Sequence, residues 1–295
     1  MNGPTEPVGP ESERGMILVN VLLFVAIASG IVMLMIAAED TALQRGMRMR
    51  EAARAQAVMR GGELSAIVAL RRDALVDPDS DNPAEPWAAL AERGAPIEGG
   101  SFDLAIADAQ GRFNVNSLMN GDAAAVEMLA QIATALELPP ELVPQATELV
   151  RLTGPISDLR PLRLAGIEPQ KLARLSQLIT ALPYDTKINV NSASEELLAI
   201  MIGDPMAAHA LAAQRKREGY LTPADFAMVK ATLPPTAGFT SNIFWVRTRV
   251  TIGDMSQQLT SLLARRRDAD QTVKVVAVGR WRGSAPPDQA PPLPL

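Results

Sequence analysis

Few side chains in this sequence could carry out covalent chemistry. It holds no cysteine and a single histidine, His209. No thiolate nucleophile, thiolate metal site, disulfide, catalytic triad or histidine-centred zinc site can be assembled from that set. His209 stands in an Ala/Met-rich helical stretch with no second ligand beside it, and reads as a surface or core residue. Asp77, Asp79 and Asp81 alternate in the segment DPDSDNPAEP and could offer oxygens to calcium, although that composition equally describes a solvated linker, which is the stronger reading. Phe113-Asn114-Val115-Asn116-Ser117 and Ile188-Asn189-Val190-Asn191-Ser192 are near-copies 75 residues apart. Paired amides can act as ligands. Ahead of helical patterns, however, asparagine and serine serve as turn and N-cap groups, and the repeat then marks two related helical units.

The last candidate is electrostatic. Ile202-Gly203-Asp204 followed by Arg215-Lys216-Arg217-Glu218-Gly219 looks like a helix-hairpin-helix module of the kind that offers backbone N–H groups to a DNA phosphate. Here Asp204 would repel phosphate, Pro205 has no N–H, and Glu218 offsets the short basic cluster. A formal net charge of -5 also argues against a general nucleic-acid surface. A helical packing module is favoured, with a membrane-anchored DNA-binding or DNA-uptake protein as the alternative.

The elements that must position these residues begin with a membrane anchor. Met16 to Ala38 is a run without Lys, Arg, Asp or Glu. As a helix it would be about 34 Å long, enough for a hydrocarbon core of about 30 Å. It is too long for the core of a secretory signal peptide. Glu39 and Asp40 lead without a turn signal into further helical pattern, through Arg45, Arg54 and Arg60 to about Arg72. The Pro/Asp-rich linker follows, then an expected short helix at Trp87–Arg93, a loop from Gly94 to Gly100 and an alternating strand at Phe102–Ile106. From Asn114 to about Leu233 the pattern is helical, cut by Gly and Pro, with caps at Ser157, at Ser192 or Ser194, and at Thr222-Pro223-Ala224-Asp225. Ile243 to Ile252 alternates, with Phe244, Val246, Thr248, Val250 and Ile252 on one face and Trp245, Arg247, Arg249 and Thr251 on the other. Met255–Leu263 is a weaker strand, and Arg265-Arg266-Arg267 reads as a solvated strand end or loop. Val273–Val278 is a clear strand, and the Pro-rich tail from Gly283 is expected to be disordered.

The predicted fold is therefore α+β. A long N-terminal transmembrane helix packs on a small antiparallel sheet, and an all-helical domain is inserted between the sheet's first and second strands. The expected organisation is a leader at 1–15, a membrane helix at 16–38, its continuation at 39–72, linker and first sheet residues at 73–112, the helical insert at 113–235, the remaining strands at 236–282 and the tail at 283–295.

A glycine directly before a long apolar helix, as in Gly15-Met16-Ile17-Leu18-Val19-Asn20, resembles the type IV prepilin-like proteins. The resemblance implies cleavage by a prepilin peptidase between Gly15 and Met16, with a new and commonly methylated amine on Met16. Most members carry glutamate at the fifth mature position, paired with a neighbouring subunit's amine; a carboxylate in lipid needs such a partner. That position is Asn20 here. The protein K family of type II secretion systems typically lacks the glutamate, and it also joins a pilin-like stalk and sheet to a large helical insert. Asp108–Asn120, Ser157–Val229 and Ser241-Asn242-Ile243-Phe244-Trp245-Val246 resemble that family in order and spacing. The resemblance implies a non-enzymatic minor pseudopilin at the pseudopilus tip. Its partners would be components I and J, the prepilin peptidase, the secretion apparatus and secreted substrates. It implies an inner-membrane anchor with a cytoplasmic N-terminus and a periplasmic C-terminal domain. The topology rests on the resemblance, because Arg14 is outnumbered by Glu6, Glu11 and Glu13 while Arg45, Arg48 and Arg50 follow the run. Calcium, bound by some members, is not carried over, because the middle of the insert lacks their acidic loop. No cofactor is expected.

Overall fold

The computed structural model of the chain describes residues 11–165, 167–283, 286–287 and 289–293, the side chains of 11–15 and 164–165 excepted. The first ten residues of the expected leader, and the side-chain surroundings of Gly15, lie outside the described residues. Contacts divide the chain into two compact units, Met1–Arg54 and Ala55–Leu295. Helix α1 is assigned over Glu11–Val76, four residues beyond the expected end. In the first unit its apolar residues from Met16 to Ile36 are exposed around the whole helix circumference. One described helix is long and apolar enough to cross a membrane, and this is it. A helix that is apolar on every side and packs against nothing fits lipid as its solvent.

The second unit is built on a five-stranded antiparallel sheet of order β1-β2-β7-β8-β9. Its strands are β1 (Glu92–Ile97), β2 (Gly100–Asp108), β7 (Ile243–Ile252), β8 (Met255–Arg267) and β9 (Val273–Arg282). The last turns of α1 lie on one face of the sheet. Ala55, Met59, Gly62, Ala66, Leu70 and Ala74 recur at three- and four-residue steps and are buried there. They meet Phe244, Val246, Val250 and Ile252 of β7, the face that alternation in the sequence assigns to the interior. Gly62 permits the approach, since a Cβ there would stand 2.8 Å from the Phe102 ring and 3.0 Å from Thr248 Cγ2.

The insert leaves after β2 and returns at β7, two neighbouring strands of the sheet. It therefore lies between the second and third strands, one strand later than expected. Asp108 pairs with Phe244 in the ladder, and Ala109 N–H donates to Ile243 O at 3.0 Å, so the ends of the insert meet. Closely spaced ends make such an insertion sterically cheap. The insert is not wholly helical. Two parallel two-residue pairs brace it: β3 (Phe113–Asn114) with β4 (Ile179–Thr180), and β5 (Ile188–Asn189) with β6 (Ala237–Gly238). The first pair encloses a 3-10 turn (Val115–Asn120), α2 (Ala123–Ala135), α3 (Leu142–Thr153) and α4 (Pro169–Leu178). The second encloses α5 (Glu195–Ile202), α6 (Pro205–Glu218) and α7 (Pro223–Met228). Both units share one core, in which Leu118, Ile132, Leu175 and Ile179 meet Ile188, Val190, Leu197 and Leu211.

Three further expectations are corrected. In place of a helix at Trp87–Arg93 and a loop to Gly100 there is a short 3-10 turn, Ala88–Leu90, and then β1. Arg265 is buried within β8 rather than solvated at a strand end. The described tail residues are packed: Ala290 lies against the sheet's outer cluster and Leu293 is 7 % exposed.

Candidate functional site

The repeated asparagines are clamps on the backbone. Asn114 Oδ1 accepts from the N–H of Asn116 and, at 3.0 Å, from that of Leu182, while its Nδ2 donates to Tyr184 O. Asn116 closes the first unit. Its Oδ1 accepts from Ile156 N–H at 2.9 Å, and its Nδ2 donates to Ile156 O at 2.8 Å and to Leu182 O at 2.7 Å. Ser117 Oγ donates to Thr186 O at 3.3 Å. The second copy repeats the first step, with Asn189 Oδ1 accepting from Asn191 N–H at 3.0 Å. Asn191 Oδ1 then accepts from Leu221 N–H at 2.7 Å, whereas its buried Nδ2 has no partner. The residues anticipated as caps or ligands are thus occupied within the chain: Asn114 caps the 3-10 turn, and Asn189 Nδ2 and Ser192 Oγ bond the Asp108 carboxylate. Of the two serines read as caps of α5, Ser194 holds that place, and Asp122 caps α2.

Around the second copy the insert is tied to the sheet. Asp108, the last residue of β2, is half-buried. Its Oδ2 accepts from Ser192 Oγ at 2.6 Å, Asn189 Nδ2 at 2.7 Å and Ser241 Oγ at 2.7 Å, and its Oδ1 from Gln110 N–H at 2.7 Å. Burial pushes its carboxyl above the usual carboxylate range, against these hydrogen bonds. Gln110 bridges the same junction: its Oε1 accepts from the N–H groups of Asn242 and Ile243, and its Nε2 donates to Lys187 O. Gly111 passes so near the repeat that a Cβ would stand 2.4 Å from Ser192 O.

The junction continues to a buried acidic cluster. Asp73 of α1, Asp81 and Glu85 bring oxygens within 4.8 Å of one another. The guanidinium of Arg265 already serves as their cation: NH2 contacts Asp81 Oδ1 at 2.6 Å and Ser241 O at 2.6 Å, and NH1 contacts Asp73 Oδ2 at 3.2 Å. Glu85 accepts from Trp87 Nε1 at 2.7 Å and from Asn82 Nδ2. Arg265 contacts two of the three carboxyls, Asp73 and Asp81. Burial pushes Asp81 up to about 6 despite Arg265 beside it, Glu85 to about 7, and Asp73 above its ordinary value. The sequence-based calcium trio does not converge: Asp81 joins Asp73 and Glu85, while Asp77 and Asp79 are exposed. Asp108, Ser241 and Arg265 were not singled out from sequence. Arg265 could have been, because it lies two residues beyond Leu263 on the helix-facing side of β8.

At the hairpin between α5 and α6, Gly203 takes the left-handed conformation that ends α5. Asp204 Oδ1 accepts from Met206 and Ala207 N–H at 2.9 and 3.1 Å. The amides that would face a phosphate are therefore filled by a carboxylate. Arg215 is turned onto Val190 O and Arg217 onto Gln214. His209 is exposed and meets Glu195 at 2.9 Å. Met16 and Asn20 lie on the exposed helix of the first unit.

Comparison with known proteins finds likeness to one component of type II secretion systems. A family model described as type II secretion system protein K matches residues 188–242, the second asparagine unit and its return to the sheet. The type II secretion system protein K of Pseudomonas aeruginosa PAO1 is 28 % identical over 319 residues, covering 93 % of this chain and 95 % of that one. The chain is thus similar over most of its length to a type II secretion system protein K. Its fold also matches a chain in the crystal structure of the GspK–GspI–GspJ complex from the enterotoxigenic Escherichia coli type 2 secretion system. That match has a TM-score of 0.62 at 19 % identity and covers 82 % of this chain and all of the other. At that identity the likeness speaks for the fold: a protein K architecture with the insert held to the sheet through Asp108, the asparagine repeat and Arg265.

Proposed function

We propose that this protein is the tip subunit of a type II secretion pseudopilus and acts there without catalysing a reaction. Its relatives support the coarser statement, a minor pseudopilin component of type II secretion. The observation that carries the finer one is the insert between β2 and β7, with its own core and bonded to the sheet at its base. So large a body leaves little room for a further subunit stacked above it. In this reading the prepilin peptidase cuts between Gly15 and Met16, leaving a mature amine open to methylation. Asn20 needs no carboxylate because no amine above it requires pairing. The apolar helix anchors the chain in the inner membrane, with its N-terminus cytoplasmic and Ala55–Leu295 periplasmic. The partners are components I and J, in line with the complex in which the structural neighbour was crystallised. Exposed Leu64 and Val68 of α1 border a groove of about 660 Å³ with Trp87 and Leu90, an apolar surface suited to a neighbouring stalk. Secretion apparatus and secreted substrate meet the insert.

Full-length protein co-expressed with a prepilin peptidase and its own components I and J tests the reading. Mass spectrometry should find Met16 as the mature N-terminus, the three components should co-purify, and loss of the chain should block secretion. An uncut chain in the presence of an active peptidase would overturn it.

A further inference from the structure

The sheet's outer face, opposite α1, carries two tryptophans. Trp245 of β7 and Trp281 of β9 stand with ring centroids 5.5 Å apart at 51°. Their spacing depends on Gly279, over which the Trp281 ring lies; a Cβ there would stand 2.5 Å from the ring. Leu262, Ala264, Val278 and Leu182 complete an apolar platform, and Ala290 of the tail packs on it. The tail residues beside Ala290 include Pro286, Pro287, Pro291 and Pro292. Prolines have no N–H and cannot extend the ladder at a sheet edge, so such a segment binds by its faces and its carbonyls. That is how this one is held. Arg247 NH1 donates to Pro291 O at 2.6 Å, and Thr180 Oγ1, from β4 of the insert, donates to Gln289 Oε1 at 3.0 Å. Leu293 is buried beyond them.

Aromatic rings flanked by a side-chain donor to a proline carbonyl are the elements of proline-rich segment recognition. We propose that the Trp245–Trp281 face is a docking site for a proline-rich segment, and that the chain's own described tail residues, 286–287 and 289–293, fill it as a releasable strap between sheet and insert. The binding is finely balanced. The tail covers Arg247, whose NH2 finds only Gln258 Oε1 at 3.2 Å and whose Nε has no partner. Among the described residues no carboxylate forms an ion pair with Arg247. Burying a guanidinium on neutral oxygens costs free energy that water would return on release. Aromatic contact favours docking and Arg247 opposes it. What holds the strap down is its tether, which raises its effective concentration to about the millimolar range.

The test uses full-length protein in detergent, with residues 284–295 replaced by a Gly/Ser segment of equal length. Acrylamide quenching of tryptophan fluorescence should rise as Trp245 and Trp281 lose their cover, Trp87 contributing equally to both proteins. A synthetic peptide of sequence SAPPDQAPPLPL, added at about 1 mM, should restore the protection. The same peptide with its prolines changed to alanine should not. As a second variant, Gly279→Ala pushes the Trp281 ring aside without altering the tail, and should accelerate amide hydrogen exchange at Gln289, Ala290 and Leu293. The proposal is overturned by unchanged quenching in the swapped protein, by failure of the peptide to protect, by equal protection from both peptides, or by unchanged tail exchange in the glycine variant.

Discussion

Asn116 and Asn191 hold the same place in two copies of one motif but carry unequal loads. Asn116 satisfies three main-chain groups, the N–H and C=O of Ile156 and the C=O of Leu182, while Asn191 satisfies one, the N–H of Leu221. A buried polar group stripped of its partner costs about 1–3 kcal/mol. Asn116→Ala should therefore destabilise the protein by about 3 kcal/mol or more, and Asn191→Ala by about 1–2 kcal/mol, as read from urea unfolding. Equal losses would mean that water replaces the amide of Asn116 as readily as that of Asn191. The same comparison explains why these residues look like ligands in sequence. Asparagine beside asparagine offers donors and acceptors at close spacing, and only the fold shows that the chain itself consumes them.

At the scale of elements, what was legible followed periodicity. The alternation of β7 was read from its sequence, because the apolar residues that meet α1 alternate with Arg247, Arg249 and Thr251, although most of the strand is buried on both faces. Strand β8 was read weakly because Leu259-Thr260-Ser261-Leu262-Leu263-Ala264 lacks that alternation. Leu259 to Arg265 is buried without interruption, because α1 covers one face of the sheet and the insert and tail cover the other. Strand β1 was missed because Glu-Arg-Gly-Ala-Pro-Ile shows no alternation; it is an irregular edge strand whose proline and register shift suit an unpaired border. The tail was read as disordered from composition alone, since its partners lie 40 residues and more away in sequence. The insert's boundaries were close, but not its attachment to the sheet. Gly111 shows how tight that attachment is. A Cβ at this position would meet the carbonyl of Ser192, a main-chain group that cannot swing away. Gly111→Ala should cost about 2 kcal/mol or more through displaced backbone. Gly203→Ala, left-handed but with open space around it, should cost only about 1 kcal/mol. Thermal unfolding of the two variants side by side separates crowding from conformational strain.

Within Ala55–Leu295, Arg265 ties together segments far apart in the sequence. It touches Asp73 of α1, Asp81 of the linker and the carbonyl of Ser241 where the insert returns, and it projects from the sheet. The pH dependence of the fold follows from that position. Asp73, Asp81 and Glu85 hold protons more tightly in the fold than in the unfolded chain. Their ionisation therefore weakens the fold at alkaline pH, and stability rises as pH falls through about 7 and about 6. The opposite group comprises Glu63 and Asp103. Burial would raise both, but Arg280 and Ser261 at Glu63, and Arg249 at Asp103, outweigh it and hold them below the ordinary range. Their contribution is present above the ordinary carboxylate pKa and is lost as pH falls below about 4. Stability should peak near pH 5 (roughly) and fall away on both sides. Arg265→Met then becomes a decisive variant. At pH 8 it leaves buried carboxylates with no cation, at a cost of about 3–5 kcal/mol. At pH 5 the same carboxyls can take up protons, and most of that cost should disappear. Adding Asp81→Asn and Glu85→Gln to Arg265→Met should recover much of the stability at pH 8 as well, because Asp73 is then the one carboxyl of the cluster left to ionise. Thermal unfolding between pH 5 and 8 reads all three proteins. A loss from Arg265→Met that is the same at every pH would mean that the arginine acts through packing on Phe244, whose ring centroid lies 5.0 Å from its guanidinium, rather than through its charge.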